Sequence, residues 1–272
     1  MTTSYRFIKL FILLLTVTAL LSCEKVLDLN LSNASPQLVI EGNLTDVRGV
    51  QSVKISKTVP FDQSNVFPAV SGATVVMTDN LGIKYAFLEG ATKGTYSINN
   101  LFGRSGRVYT LSVGVEGKTY TAVSTMPSLV KLDSLTGSEE TFNNEKRKLI
   151  AVNFADPGSQ INYYLFRMTV NGKAIARIFT EDDQFTNGKY VRRNLYLTDN
   201  DNVKIQSRDE VSIEFQTIDK PIHTYWFSLE QQYSSGNPND VTTPANPPSN
   251  FNNNALGYFS AHTMQVQVAV LK

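Results

Sequence analysis

Residues 73–88 read Ala73-Thr74-Val75-Val76-Met77-Thr78, then Asp79-Asn80-Leu81-Gly82, then Ile83-Lys84-Tyr85-Ala86-Phe87-Leu88, and this stretch decides the fold class. The outer runs are rich in β-branched and aromatic residues and the centre has turn composition, so the stretch predicts a β-hairpin. Downstream, Val108–Val115 and Lys118–Ser124 flank Glu116-Gly117 and predict a second hairpin, with a short strand at Thr95–Ile98 between the two. Upstream, Gln37–Glu41, closed by Gly42, and Val50–Lys57 predict strands, while Phe61–Val70 reads as a polar, proline-containing loop. Short β runs separated by glycine-containing turns predict a sandwich. Met126-Pro127 closes the series, because proline removes a ladder donor.

The remainder, 128–272, predicts a second β region. Leu149–Phe154 leads into Asp156-Pro157-Gly158, a turn in which proline presets φ. Tyr163–Val170 and Lys173–Phe179 flank Asn171-Gly172, a pair suited to the two positive φ angles of a type I′ turn. Tyr190–Leu197, Glu210–Ile218, Gly257–Ala261 and Thr263–Leu271 read as further strands. One helix is predicted near 220–234. Ile222, Tyr225, Trp226, Leu229 and Tyr233 share one helical face, Asp219 is placed to cap it, Pro221 suits the first turn and Gly236 the end. Residues 236–254 are rich in Asn and Pro and too long for an ordinary connection, which predicts a functional or mobile loop.

At the N-terminus, Arg6 and Lys9 precede an apolar run from Leu10 to Leu21, and Leu20-Leu21-Ser22-Cys23 follows. A basic start and a short apolar core form a secretory signal, and the run is too short to span a bilayer. A small residue before cysteine at this boundary matches a bacterial lipobox. Cleavage between Ser22 and Cys23 is therefore expected, with a diacylglyceryl group attached to the Cys23 sulfur. Residues 1–22 read as signal peptide and 23–35 as a lipid-anchored tether, whose alternating Val26, Leu27, Leu29 and Leu31 suit an edge strand. Cys23 is the one cysteine in the chain, so no internal disulfide can form. Removing the first 22 residues leaves 23 basic residues against 24 acidic ones, which argues against a nucleic-acid partner.

Chemistry is sparsely signalled. The two histidines, His223 and His262, have no neighbouring His or Cys, which disfavours a metal site. His223 is expected in the first helical turn and His262 at a strand edge. Asp199-Asn200-Asp201-Asn202 with Glu210 resembles a calcium loop only superficially, since Val203 and Lys204 stand where an oxygen ligand and glycine are needed. Glu181-Asp182-Asp183 reads as a solvated loop, and Glu139-Glu140 as part of a polar linker. Gly-x-Ser-x-Gly, P-loop and dinucleotide fingerprints are absent, and Gly103-Arg104-Ser105-Gly106 lacks the required frame. No catalytic residue, metal or cofactor is expected. The candidate binding surface is aromatic: Tyr225, Trp226, Tyr233, Phe251 and Tyr258.

Several pieces, in order, resemble the domain-of-unknown-function family 4249, lipoproteins of Bacteroidetes-type bacteria. They include Ser22-Cys23-Glu24-Lys25, Leu38-Val39-Ile40-Glu41-Gly42, Val70-Ser71-Gly72-Ala73-Thr74-Val75, Gly94-Thr95-Tyr96, Tyr109-Thr110-Leu111, Lys118-Thr119-Tyr120-Thr121-Ala122 and Thr125-Met126-Pro127. Asp156-Pro157, Asn162-Tyr163-Tyr164, Glu230-Gln231-Gln232 and Gly257-Tyr258-Phe259-Ser260-Ala261 continue the series. Asn254-Ala255-Leu256 departs from the Gly-rich step expected before the last of these. The resemblance implies an outer-membrane lipoprotein, often paired with a TonB-dependent transporter, and brings no catalytic residues. Residues 73–124 also resemble the transthyretin-like sandwich, a noncatalytic module. The expectation is thus an all-β chain. An Ig-like or transthyretin-like sandwich spans 36–127, and an antiparallel sandwich or barrel with one amphipathic helix spans 128–272. Its function is expected to be binding or accessory, anchored to the membrane by lipid. A cell-surface hydrolase of glycans or peptides, or a structural or adhesive envelope module, are the alternatives.

Overall fold

The computed structural model describes residues 35–60, 66–142, 144–198, 201–234 and 245–271. In chain order the strands are β1 (Leu38–Thr45), β2 (Gly49–Lys57), β3 (Thr74–Asp79), β4 (Lys84–Glu89), β5 (Thr95–Leu101), β6 (Val108–Val115), β7 (Lys118–Thr125), β8 (Leu132–Phe142), β9 (Glu145–Ala155), β10 (Tyr163–Val170), β11 (Lys173–Asp182), β12 (Tyr190–Leu195), β13 (Glu210–Ile218) and β14 (Leu256–Val270). Helix α1 (Lys220–Ser234) joins β13 to β14. The chain is an all-β sandwich fold.

Among the described residues, eleven strands form one sheet in the order β11-β10-β13-β14-β1-β2-β5-β4-β3-β6-β7, and β12-β9-β8 form a second. Every ladder is antiparallel except β1 with β14, which is parallel. Strand alternation puts every second residue on one face. Accordingly β6 buries Tyr109, Leu111, Val113 and Val115, and β1 buries Leu38, Ile40 and Leu44. Pairing between β4 and β5 runs to only two residue pairs, so the sheet turns over there. The two flanks then enclose a first core built on Ile40, Leu44, Ile55, Met77, Tyr96 and Leu111.

The β3–β4 hairpin is held by Asp79. Its carboxylate accepts from the N–H groups of Leu81 and Ile83, both at 3.0 Å, and from Arg107 at 2.7 Å. Burial alone would raise its pKa, but these donors outweigh burial and lower it. Asn171 and Gly172 both take positive φ, as the predicted turn requires.

A second core lies between β11-β10-β13-β14 and the three-stranded sheet, filled by Phe154, Tyr164, Phe166, Ile213 and Phe215. β14 serves both cores: Phe259 and Ala261 belong to the first, and Ala269 packs on the second. Residues 36–272 accordingly form one compact unit, so the expected division at Pro127 separates two cores and not two domains.

Three expectations need correcting. Gly42 does not end β1; it lies inside the strand, where an added Cβ would meet Leu111 at 2.9 Å and Phe259 at 3.0 Å. The two closing strands are one, β14, with His262 in its interior beside Thr45 of β1. Glu139 and Glu140 are not in a linker but on β8, a strand whose apolar pattern is masked by an irregular register near Asp133 and by polar side chains on its outer face. No helix among the described residues is long and apolar enough to cross a membrane.

Candidate functional site

Helix α1 organises the surface of greatest chemical interest. Its start is fixed by Asp219, whose Oδ1 accepts from the Ile222 N–H at 3.3 Å, so the predicted cap forms. Asp219 Oδ2 accepts from Ser124 Oγ at 2.8 Å and from the Thr125 N–H at 2.9 Å. Towards the other end, Glu230 Oε2 accepts from the Thr180 N–H at 2.9 Å and from the Thr180 hydroxyl, covering the edge of β11. The inner face of the helix buries Ile222 and Trp226 against Leu165, Ile218 and Tyr258.

Three of the five candidate aromatics meet here. Tyr225, Trp226 and Tyr258 have ring centroids 5.0–5.2 Å apart, and the Arg167 guanidinium lies 5.0 Å from the Trp226 ring. Tyr258 receives a hydrogen bond from Asn43 Nδ2 at 3.4 Å, and burial pushes the Tyr225 hydroxyl up to about 12. This is packing between helix and sheet, with little ring surface left to solvent. Phe251 is elsewhere, in the first core, bridged to Ala122 on β7. Tyr233 turns to the Arg177–Asp201 ion pair, donating to Asp201 at 3.0 Å under Arg177 at 4.9 Å. The five therefore do not form one surface. Asp201 is occupied by Arg177, Tyr233 and Thr198, which suits a polar turn; Asp199 and Asn200 lie outside the described residues.

The accessible part of the site lies beside His223. Its ring packs against Tyr163 at 4.9 Å with the planes tilted by 37°, and stacks on Phe227 at 5.7 Å; Phe227 is 44% exposed. Burial lowers the His223 pKa, leaving a neutral imidazole at pH 7. Tyr163 lines a cavity of about 340 Å³ together with Ile161, Asp182, Asp183, Gln184 and Asn187. Burial, then the charges of Asp182 and Asp183, raise the Tyr163 pKa, so its hydroxyl stays protonated. The result is an apolar platform next to two carboxylates and two amides. The reading of residues 181–183 as a solvated loop fails: Glu181 and Asp182 end β11, and Asp183 is 1% exposed. The i,i+4 spacing of His223 and Phe227 was the available signal for this ladder; Tyr163 and Asp183 join it only through tertiary packing.

One pair has the appearance of a nucleophile and its base. Ser260 Oγ lies 2.9 Å from His262 Nδ1. Both are closed off, at 2% and 3% exposure, and burial with the nearby Arg167 charge depresses the His262 pKa to about 4. His262 is thus an interior residue of the sheet, not a strand-edge one, and the pair is structural. A separate groove of about 560 Å³ runs between Leu135–Glu139 of β8, Lys148 and Ala269–Leu271. Glu139 there pairs with Lys146 at 2.9 Å, which lowers its pKa and makes it a poor general acid. Among the described residues, no three His, Cys, Asp or Glu side chains converge as a metal cluster. Ser22 and Cys23 lie outside the described residues.

No curated protein matches the chain. Among solved structures it is similar to a two-domain fibronectin type III segment from chicken tenascin, with 14% identity, a TM-score of 0.22, and coverage of 67% of this chain and 90% of that one. A family described as "Domain of unknown function (DUF4249)" matches residues 24–267, most of the chain, and the protein belongs to that family.

Proposed function

We propose that the protein is a lipid-anchored, noncatalytic binding protein of the outer membrane that acts as an accessory to a TonB-dependent transporter. The observation that carries the binding part is the Phe227–His223–Tyr163 ladder opening on the cavity of Asp182, Asp183, Gln184 and Asn187. Such a surface offers ring faces and hydrogen-bonding groups, the composition of a site that holds a ligand. Its one lining hydroxyl, on Tyr163, is held protonated, and the Ser260–His262 pair is sealed inside the sheet, which favours binding over turnover. The anchoring part rests on Leu20-Leu21-Ser22-Cys23, and the transporter part on family resemblance, an argument by analogy.

Purification of the tagged protein from gently solubilised membranes tests the reading. A TonB-dependent transporter should co-purify, and Phe227→Ala should weaken its recovery several-fold while leaving the helix intact. Reproducible absence of any transporter would sink the accessory role.

A further inference from the structure

We infer that the second half of β14 is a docking edge for a second copy of the chain, whose own β14 adds to it antiparallel about a twofold axis through Val268.

β14 has strand neighbours on both sides for only part of its length. β13 pairs with Thr263–Val270, but β1 leaves after Thr45, opposite His262. On that side the Met264 N–H is capped by Asp46 Oδ1 at 2.8 Å, and no strand follows. Leu271 donates to the Asp209 carbonyl and accepts from the Arg208 N–H, so its main-chain groups face the β13 side. Along an antiparallel ladder these groups alternate sides, so those of Val266, Val268 and Val270 face the open side. None of the three has a hydrogen-bond partner there among the described residues. Their side chains are 58%, 53% and 64% exposed.

The outer strands of both sheets are covered or charged. On β7 the Thr121 carbonyl accepts from the Asn252 N–H at 3.0 Å, and the Thr121 N–H donates to Asn252 Oδ1 at 2.8 Å. On β11 the Thr180 N–H is taken by Glu230. β8 carries Glu139 and Glu140, and β12 carries Arg192 and Arg193. Cover and charge are the means by which native edges avoid stray pairing. Met264-Gln265-Val266-Gln267-Val268-Ala269-Val270 has no charge, no proline and no register shift against β13. Such an edge is a template for strand addition.

A second copy suits this edge. A twofold axis sets an edge against itself, which like charges would resist and this neutral stretch permits. The open groups run from Val266 to Val270, so an axis through Val268 uses all of them. Val268 then meets its own counterpart, and Val266 meets Val270. Six valine side chains line up on one face, flanked on each side by Glu210, Ser212 and Glu214 of β13. Three strand spacings, roughly 14 Å, separate the glutamates of the two copies. β1 flanks only Leu256–His262, outside the paired stretch. The groove of about 560 Å³ between Ala269–Leu271 and β8 leaves space beside the edge. Pairing over this length buries less than the roughly 1,600 Å² of a standard interface, so the dimer is weak in dilute solution.

The test uses residues 23–272 with Cys23→Ser, a cysteine-free chain that contains the whole compact unit. Sedimentation equilibrium at high protein concentration should show a reversible monomer–dimer equilibrium. Val268→Lys and Val268→Glu should each weaken it at least ten-fold, because like charges then meet on the axis, and an equimolar mixture of the two should dimerise again. Leu88→Lys, at an exposed site on β4, should change nothing. Under mild oxidation Val268→Cys should cross-link into dimers, since hydrogen-bonded antiparallel partners hold their Cα atoms about 5.5 Å apart, within disulfide reach. Val266→Cys should cross-link only when combined with Val270→Cys. If the charged variants do not fold by circular dichroism, the cysteine pattern decides. A chain that stays monomeric at its highest soluble concentration overturns the proposal. So does a dimer indifferent to Val268→Lys, or cross-linking that is equal through Val266→Cys and Val268→Cys. None of these outcomes depends on a lipid or a transporter.

Discussion

Ser124 Oγ donates to the Asp219 carboxylate at 2.8 Å and accepts from the Ala261 N–H at 2.9 Å. One hydroxyl, 1% exposed, therefore ties β7 to the cap of α1 and to β14. Replacing it with alanine leaves the Ala261 N–H unpaired in the interior and removes one donor from Asp219. An unsatisfied buried group costs about 1–3 kcal/mol, so Ser124→Ala should lower unfolding free energy by about that much in urea titration. A change under about 0.3 kcal/mol would show that the bridge is replaceable by solvent.

Gly257 makes a sharper prediction. Its φ is +90°, and an added Cβ would meet the Ile40 carbonyl oxygen at 2.1 Å, across the parallel β1–β14 ladder. Backbone cannot yield as a flexible side chain can. Left-handed strain and overpacking each cost about 1–3 kcal/mol, so Gly257→Ala should destabilise by several kcal/mol or fail to fold. Gly42→Ala, which meets side chains and no backbone, should cost less. Reversal of that order in denaturant melts would refute the account.

Acid should weaken the fold through His262. Its folded pKa is about 4, below the ordinary 6.5, so the unfolded chain binds a proton first. The term is absent above pH ~6.5 and grows as destabilisation while pH falls towards ~4. His223, lowered by burial, contributes with the same sign. Unfolding free energy should drop by roughly 1–2 kcal/mol between pH 7 and pH 5, with a shallower slope in His262→Gln. An unchanged slope in that variant would assign the acid sensitivity to other groups.

The lipid anchor is testable at one atom. Cys23→Ala should abolish labelling by a fatty-acid probe and release the protein from membranes, since each buried methylene adds about 0.8 kcal/mol to anchoring. Persistent labelling of the variant would overturn the lipobox reading.

What could be read from the sequence was local. The Asp79–Gly82 and Asn171-Gly172 turns, the Asp219 cap and the alternation along β6 each lie within a few residues, where sterics and period are visible. β8 escaped because its mostly polar residues satisfy the second sheet by backbone pairing and not by an apolar stripe. Polarity is the only local cue at His262 and Asp183, so the sequence points to a strand edge for the first and a solvated loop for the second, whereas both are buried by strands and turns distant in sequence. The five aromatics share a residue type but no local sequence relation that brings all of them together. Packing divides them among a helix interface, the first core and an ion pair.

The parallel β1–β14 ladder also bears on biogenesis. β1 is the first strand of the described chain and its partner the last, so contact order is high and closure of the first core is a late event. A chain threaded across a membrane from its N-terminus presents β1 with one open edge until Leu256 and the residues after it have emerged. Until then that edge is a site for wrong pairing. Delivery of the final fifteen-residue strand is thus the step that commits the chain to its folded form.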